Sequence, residues 1–150
     1  MKAQPFVVTP KDYEIALNVL GTKVTVLASN TATQSYEITL QQGDEGTGPP
    51  PHSHNWDESF YVLKGKVEFT CAGKSVMCVP GTVVHVPAGT VHGFHFGAGG
   101  GEMLEFTGQG GFATQMLKPC TVPAGTCTIV PGTHITLLPA QVNSTLPLRT

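Results

Sequence analysis

The sequence predicts an all-β fold, a barrel or sandwich of short strands. Eighteen glycines and twelve prolines punctuate β-branched runs along the chain, the pattern of antiparallel strands joined by tight turns. Helical signals are confined to two single turns, neither long enough to stand alone. At 150 residues the chain suffices for one domain with a single buried core.

Thr9-Pro10-Lys11-Asp12 can cap one turn, with proline at the first helical position. Glu14–Leu20 and Thr22–Ala28 then read as the first strands, joined at Gly21. Ser35–Gln41 follows, where Tyr36, Ile38 and Leu40 alternate with Glu37 and Thr39. That period of two marks a half-buried strand and assigns the apolar set to the interior. Gly43–Pro51 is a glycine- and proline-rich loop. Six further strands are expected over Ser59–Leu63, Lys66–Cys71, Lys74–Val79, Thr82–Val86, Val91–Phe96 and Glu102–Thr107, each bounded by glycine or proline. Phe112–Leu117 is a second short turn, and Thr126–Val130 and His134–Leu138 are candidate strands in a Pro-rich tail. The expected organisation is a β-barrel with N-terminal strands over residues 1–118 and a C-terminal extension over 119–150, packed on the barrel or on a dimer partner.

Composition removes several function classes. A formal net charge of −2, with no Lys/Arg cluster, gives no electrostatic footprint for nucleic acid. No apolar run approaches the length of a membrane span. The start, Met1 to Pro10, has one lysine and a short apolar patch broken by prolines, so a signal peptide is not expected there. A cytoplasmic location is the expectation. Of the four cysteines none forms a C-x-x-C pair, so a thiolate zinc site is not indicated. Cys71 and Cys78 read as small core residues out of register across a hairpin at Ala72-Gly73; Cys120 and Cys127 flank a turn that could be bridged.

The chemistry lies in Pro51-His52-Ser-His54-Asn-Trp-Asp-Glu58. On an extended strand side chains two apart share a face, so His52, His54 and Glu58 have one parity. Their nitrogen and oxygen donors suit a divalent first-row metal. Val91-His92-Gly-Phe94-His-Phe96 can supply a fourth ligand, His92, if it lies alongside. Three imidazoles and one carboxylate leave positions open on a five- or six-coordinate metal, which distinguishes a catalytic site from a closed structural one. His85, His95 and His134 have the wrong parity or place and are read as ordinary histidines.

These residues resemble the cupin family. Gly46, His52, His54, Glu58 and Gly65 meet its first signature, G-x5-H-x-H-x3-E-x6-G, in full. Gly81, Pro87, Gly89 and His92 meet the second, G-x5-P-x-G-x2-H-x3-N, with Phe96 in place of the terminal asparagine. The resemblance implies a jelly-roll (double-stranded β-helix) barrel with one divalent transition metal, whether Fe, Mn, Ni, Co or Zn, held inside by His52, His54, Glu58 and His92. Side chains sharing parity with the ligands, Phe60, Val62, Phe94 and Phe96, would line an apolar substrate pocket, with Tyr36 and Ile38 as a further wall.

The stretch from Gly48 to Phe69 is similar to small single-domain cupins related to quercetin dioxygenases. The resemblance implies a dioxygenase acting on a small aromatic, flavonol- or diketone-like substrate chelated to the metal, with Glu58 also accepting the substrate hydroxyl proton. A non-redox cyclase or isomerase, and a non-catalytic cupin binding metal or a small molecule, stay open as alternatives. A homodimer is the family-level expectation.

Overall fold

The computed structural model describes residues 3–108, 110 and 111. The Phe112–Leu117 turn, the extension 119–150, its candidate strands and the Cys120–Cys127 pair lie outside the described residues. Among the described residues seven strands carry the fold: β1 (Leu17–Val19), β2 (Thr22–Ala28), β3 (Glu37–Gly43), β4 (Glu58–Cys71), β5 (Lys74–Cys78), β6 (Val83–Val86) and β7 (His92–Thr107). They form one antiparallel sheet in the order β1-β2-β3-β7-β4-β5, with β6 on β4. No helix among the described residues is long and apolar enough to cross a membrane.

The N-terminal turn forms as a 3-10 helix over Pro10–Asp12, where Thr9 N–H and O–H both donate to the Asp12 carboxylate at 2.9 and 2.6 Å. β1 is shorter than its sequence run and ends where Leu20 and Gly21 turn through positive φ. A one-turn helix, α1 (Asn30–Thr33), was not expected; the Ser29 hydroxyl caps it by accepting from Ala32 N–H. In a four-residue element the cap is the sequence signal.

Two pairs of expected strands prove continuous. β4 runs through Gly65, and β7 runs through the Gly97–Gly101 segment. The β4–β7 register shifts between Val62 and Lys64 and again between Gly65 and Val67. Because side chains alternate with a period of two, such irregularities change which residues face inward. On β4 the buried set passes from Glu58, Phe60 and Val62 to Val67 and Phe69; on β7 it passes from His92, Phe94 and Phe96 to Met103, Glu105 and Thr107. Each long strand therefore serves the interior along both halves. Gly65 makes this possible at φ +73°, where a Cβ would collide with the Gly100 carbonyl.

The core is an aromatic cluster. Phe60, Phe69, Phe94 and Phe96 stand in a chain of ring contacts at 4.9–5.8 Å, packed with Val62, Val67, Cys78, Val86 and Met103. Cys71 and Cys78 are free thiols out of register, each facing another β-partner (Lys74 and Val67).

On β3 the facing is the reverse of the sequence expectation. Glu37, Thr39 and Gln41 are buried, whereas Tyr36 is 48% exposed and Ile38 only half-buried. Alternation reveals that a strand has two faces but not which one is the interior. Here the interior face is polar because β7 answers it: Glu37 pairs in register with Thr107, and Thr39 with Glu105. Tyr36 and Ile38 instead help form an outer groove of about 550 Å³ with Phe6, Leu27, Leu104 and Phe106. They are not a wall of the metal site.

Candidate metal centre

His52 and His54 do not sit on a regular strand, as parity reasoning assumed. They lie in the loop that leads into β4, and His52 is tied to β7 by an isolated bridge to His92. The bridge consists of His52 N–H to His92 O at 2.8 Å and His92 N–H to His52 O at 2.9 Å. Gly48 allows the loop to come this close, since a Cβ there would strike the Phe94 carbonyl. Gly89 N–H donates to His54 O at 2.7 Å and Ala88 N–H to Asp57 Oδ1 at 2.8 Å, tying the β6–β7 turn to the same loop. The turn of the second motif is thus tied to the histidine-bearing loop of the first.

Three imidazoles converge. Their candidate ligand atoms all lie within 4.8 Å of one another. In each ring Nδ1 meets a backbone carbonyl two residues away: His52 to Pro50 at 2.8 Å, His54 to Trp56 at 2.9 Å and His92 to Thr90 at 2.8 Å. A carbonyl only accepts, so Nδ1 carries the proton and the neutral ring offers its Nε2 lone pair to the centre. Trp56 stacks on His54 at 4.1 Å with an interplanar angle of 1°, fixing that ring further.

Glu58, the first residue of β4, points into the same space and is 4% exposed. Its Oε1 lies 2.6 Å from His92 Nε2 and its Oε2 lies 3.2 Å from His54 Nε2. Yet His54 Nε2, His92 Nε2 and Glu58 Oε1 are buried without a hydrogen-bond partner. With both Nδ1 atoms engaged as donors, lone pairs face lone pairs; either an extra proton or a cation must stand between them. Orphaned buried acceptors of this kind are rare and call for an occupant. A divalent cation fits every one of these groups.

The electrostatics agree. Burial alone would raise the Glu58 pKa, but in the metal-free chain the adjacent His54 and His92 imidazoles, once protonated, outweigh it and hold the carboxyl at about 2. For His92 burial works downward, and the Glu58 carboxylate 2.6 Å away lifts the pKa above the usual imidazole value. His52 is lowered, by burial first and by His92 next.

Phe60, Val62, Phe94 and Phe96 share the interior with this cluster, and all four are buried in the core. A second group was missed from sequence. Glu105 is 3% exposed, and its Oε2 accepts from Thr39 Oγ1 and Gln41 Nε2, both at 2.7 Å. Burial and the Glu58 charge push its pKa up to about 8 against those two bonds. The available signal was Glu105 itself, a carboxylate within the apolar run Met103–Phe106. His85 contacts Ser59 at 2.9 Å and His95 pairs with Glu68 at 3.1 Å, both away from the cluster; His134 lies outside the described residues.

Comparison with known proteins bears on the family and the fold. Residues 37–106 match the family described as Cupin domain. Over 91 residues the chain is 32% identical to quercetin 2,3-dioxygenase of Bacillus subtilis, covering 59% of this chain and 27% of that protein. Over 62 residues it is 36% identical to an uncharacterized protein of Streptomyces coelicolor, covering 41% of this chain and 59% of the relative. The chain thus spans less than two thirds of either relative. Among solved structures, KdgF from Halomonas sp. superposes with a TM-score of 0.64 at 19% identity, covering 70% of this chain and 94% of that one, a likeness of fold.

Proposed function

From the premise that this chain is a cupin, as its barrel and both its motifs have it, we propose that it is a metal-dependent dioxygenase of a small aromatic, flavonol- or diketone-like substrate. The observation that carries the reading is the set of three imidazoles whose Nδ1 atoms are held by carbonyls while their Nε2 atoms face Glu58. His52, His54, His92 and Glu58 would hold one divalent first-row metal. When bound, such an ion supplies Lewis acidity and, if redox-active, a route for electrons between a chelated substrate and dioxygen. The metal's identity stays open among Fe, Mn, Ni, Co and Zn, since this donor set accepts each.

The chain's own residues do the rest. Glu58 would offset part of the metal charge, and its carboxylate would accept a substrate hydroxyl proton. Phe60 and Phe94, next on the ligand-bearing faces of β4 and β7, give a flat apolar ring something to pack on and exclude water. Val62 and Phe96 continue that surface deeper into the core. The likeness to quercetin 2,3-dioxygenase favours an oxygen-consuming reaction over the other chemistries open to this fold.

Reconstitution with each of the five metals, followed by oxygen-uptake measurements with flavonol, catechol and diketone substrates, tests the reading. Uptake with at least one metal and a flavonol or diketone is expected. Substrate turnover without oxygen uptake would shift the assignment to a non-redox cyclase or isomerase. Metal binding without turnover of any substrate would leave a binding cupin.

A further inference from the structure

The interior wall formed by β3 and the second half of β7 is polar, and two of its hydrogen bonds gather on Glu105. β7 lies between β3 and β4, so that Thr39, Glu105 and Phe60 stand in one register row, and Glu37, Thr107 and Glu58 in the next. Glu105 and Glu58 are therefore diagonal neighbours on the same inner face, a separation that two long side chains can bridge. Glu105 has one oxygen, Oε2, taken by both Thr39 and Gln41. The Glu58 carboxylate lies close enough to act on this carboxyl. Filling the core does not call for this arrangement: burying a carboxyl is costly, and a leucine would occupy the row without it. Anchored at one oxygen, the group can fix the rotation of its neighbour's carboxylate.

We propose that Glu105 is a positioning residue for Glu58, held by Thr39 and Gln41 so that the Glu58 carboxylate is presented to His52, His54 and His92. The proposal rests on the reading of these four residues as metal ligands. Partners that orient a ligating carboxylate set its metal affinity, and losing one typically costs about 10–100-fold.

Cobalt(II) is the probe, its affinity measured by competition against a chromophoric chelator and its site geometry by visible absorption. Glu105→Leu is expected to bind cobalt about 10–100-fold more weakly with an altered spectrum, whereas Glu105→Gln, which can accept from Thr39 and donate to Glu58, stays within about threefold of wild type. Thr39→Val removes one anchor with little change in shape; a several-fold weakening and a shifted spectrum are expected, and this variant decides the matter if Glu105→Leu does not fold. Wild-type affinity and spectrum in Glu105→Leu or in Thr39→Val would overturn the proposal, as would a loss in Glu105→Gln equal to that in Glu105→Leu. Failure of the wild-type protein itself to bind cobalt would instead overturn the metal site on which the proposal stands.

Discussion

His52 and His92 are joined twice: their backbones exchange two hydrogen bonds, and their rings stand 4.3 Å apart. The backbone link does not depend on either side chain. Removing an imidazole should therefore leave the loop docked on β7 and take away only a ligand. His52→Ala and His92→Ala are each expected to lose stoichiometric metal while keeping the far-ultraviolet circular dichroism of the wild type. Metal analysis after gel filtration checks this, and one equivalent of metal retained in both variants would refute the site.

Trp56 is the single tryptophan of the chain and lies face to face with His54. Any charge arriving at Nε2 of that imidazole is felt by the indole stacked on it. Titration with cobalt or nickel should quench Trp56 emission to a plateau at one equivalent, and zinc should shift it with less quenching. In His52→Ala the same titration should show no plateau at one equivalent. Emission unchanged while metal demonstrably binds would place the ion away from His54.

The candidate site residues and the glycines that shape their turns were legible in the sequence because each has a local requirement that few residue types meet. His52, His54, Glu58 and His92 are spaced by motif, and Gly65 and Gly89 take positive φ. The convergence of the motifs was harder to read, since it rests on a loop-to-strand bridge and not on shared strand parity. β3 was misread for a related reason. Tyr36, Ile38 and Leu40 look like a core stripe, but an outer apolar face and a polar interior give the same alternation. Only the pairing of Thr39 and Gln41 with Glu105, more than sixty residues away, decides between them. Non-local polar satisfaction leaves no periodic trace in a sequence.

Gly65 and Gly73 separate two costs. Both have positive φ, +73° and +77°, but a Cβ on Gly73 meets nothing within 4 Å, whereas on Gly65 it would strike the Gly100 carbonyl and come within 2.8 Å of Gly101 Cα. Gly73→Ala should cost about 1–2 kcal/mol, the ordinary penalty of a left-handed alanine. Gly65→Ala should cost about 1–3 kcal/mol more, because β4 and β7 must part at the irregularity that sets their facing. Urea unfolding monitored by circular dichroism compares them, and equal losses would mean that the β4–β7 approach at Gly65 is looser than the structure has it.

Glu58 and Glu105 pull the stability of the metal-free protein in opposite directions with pH. Glu58 is depressed from 4.5 to about 2, so its contribution is present above pH 4.5 and fades as pH falls toward 2. Glu105 is raised from 4.5 to about 8, so below pH 4.5 its stabilising contribution is fully present, and between 4.5 and 8 the unfolded chain gains from ionisation that the folded one resists. His92, raised above its ordinary value of 6.5, adds to the decline on the alkaline side. These three groups together favour a stability maximum near pH 4.5 with losses on both sides. In chelator-treated protein the thermal midpoint should fall from pH 5 to pH 8, and Glu105→Gln, which has no proton to lose, should flatten most of that limb while leaving the acid limb in place. A Glu105→Gln profile parallel to wild type across this range would show that Glu105 ionises as easily in the folded chain as in the unfolded one.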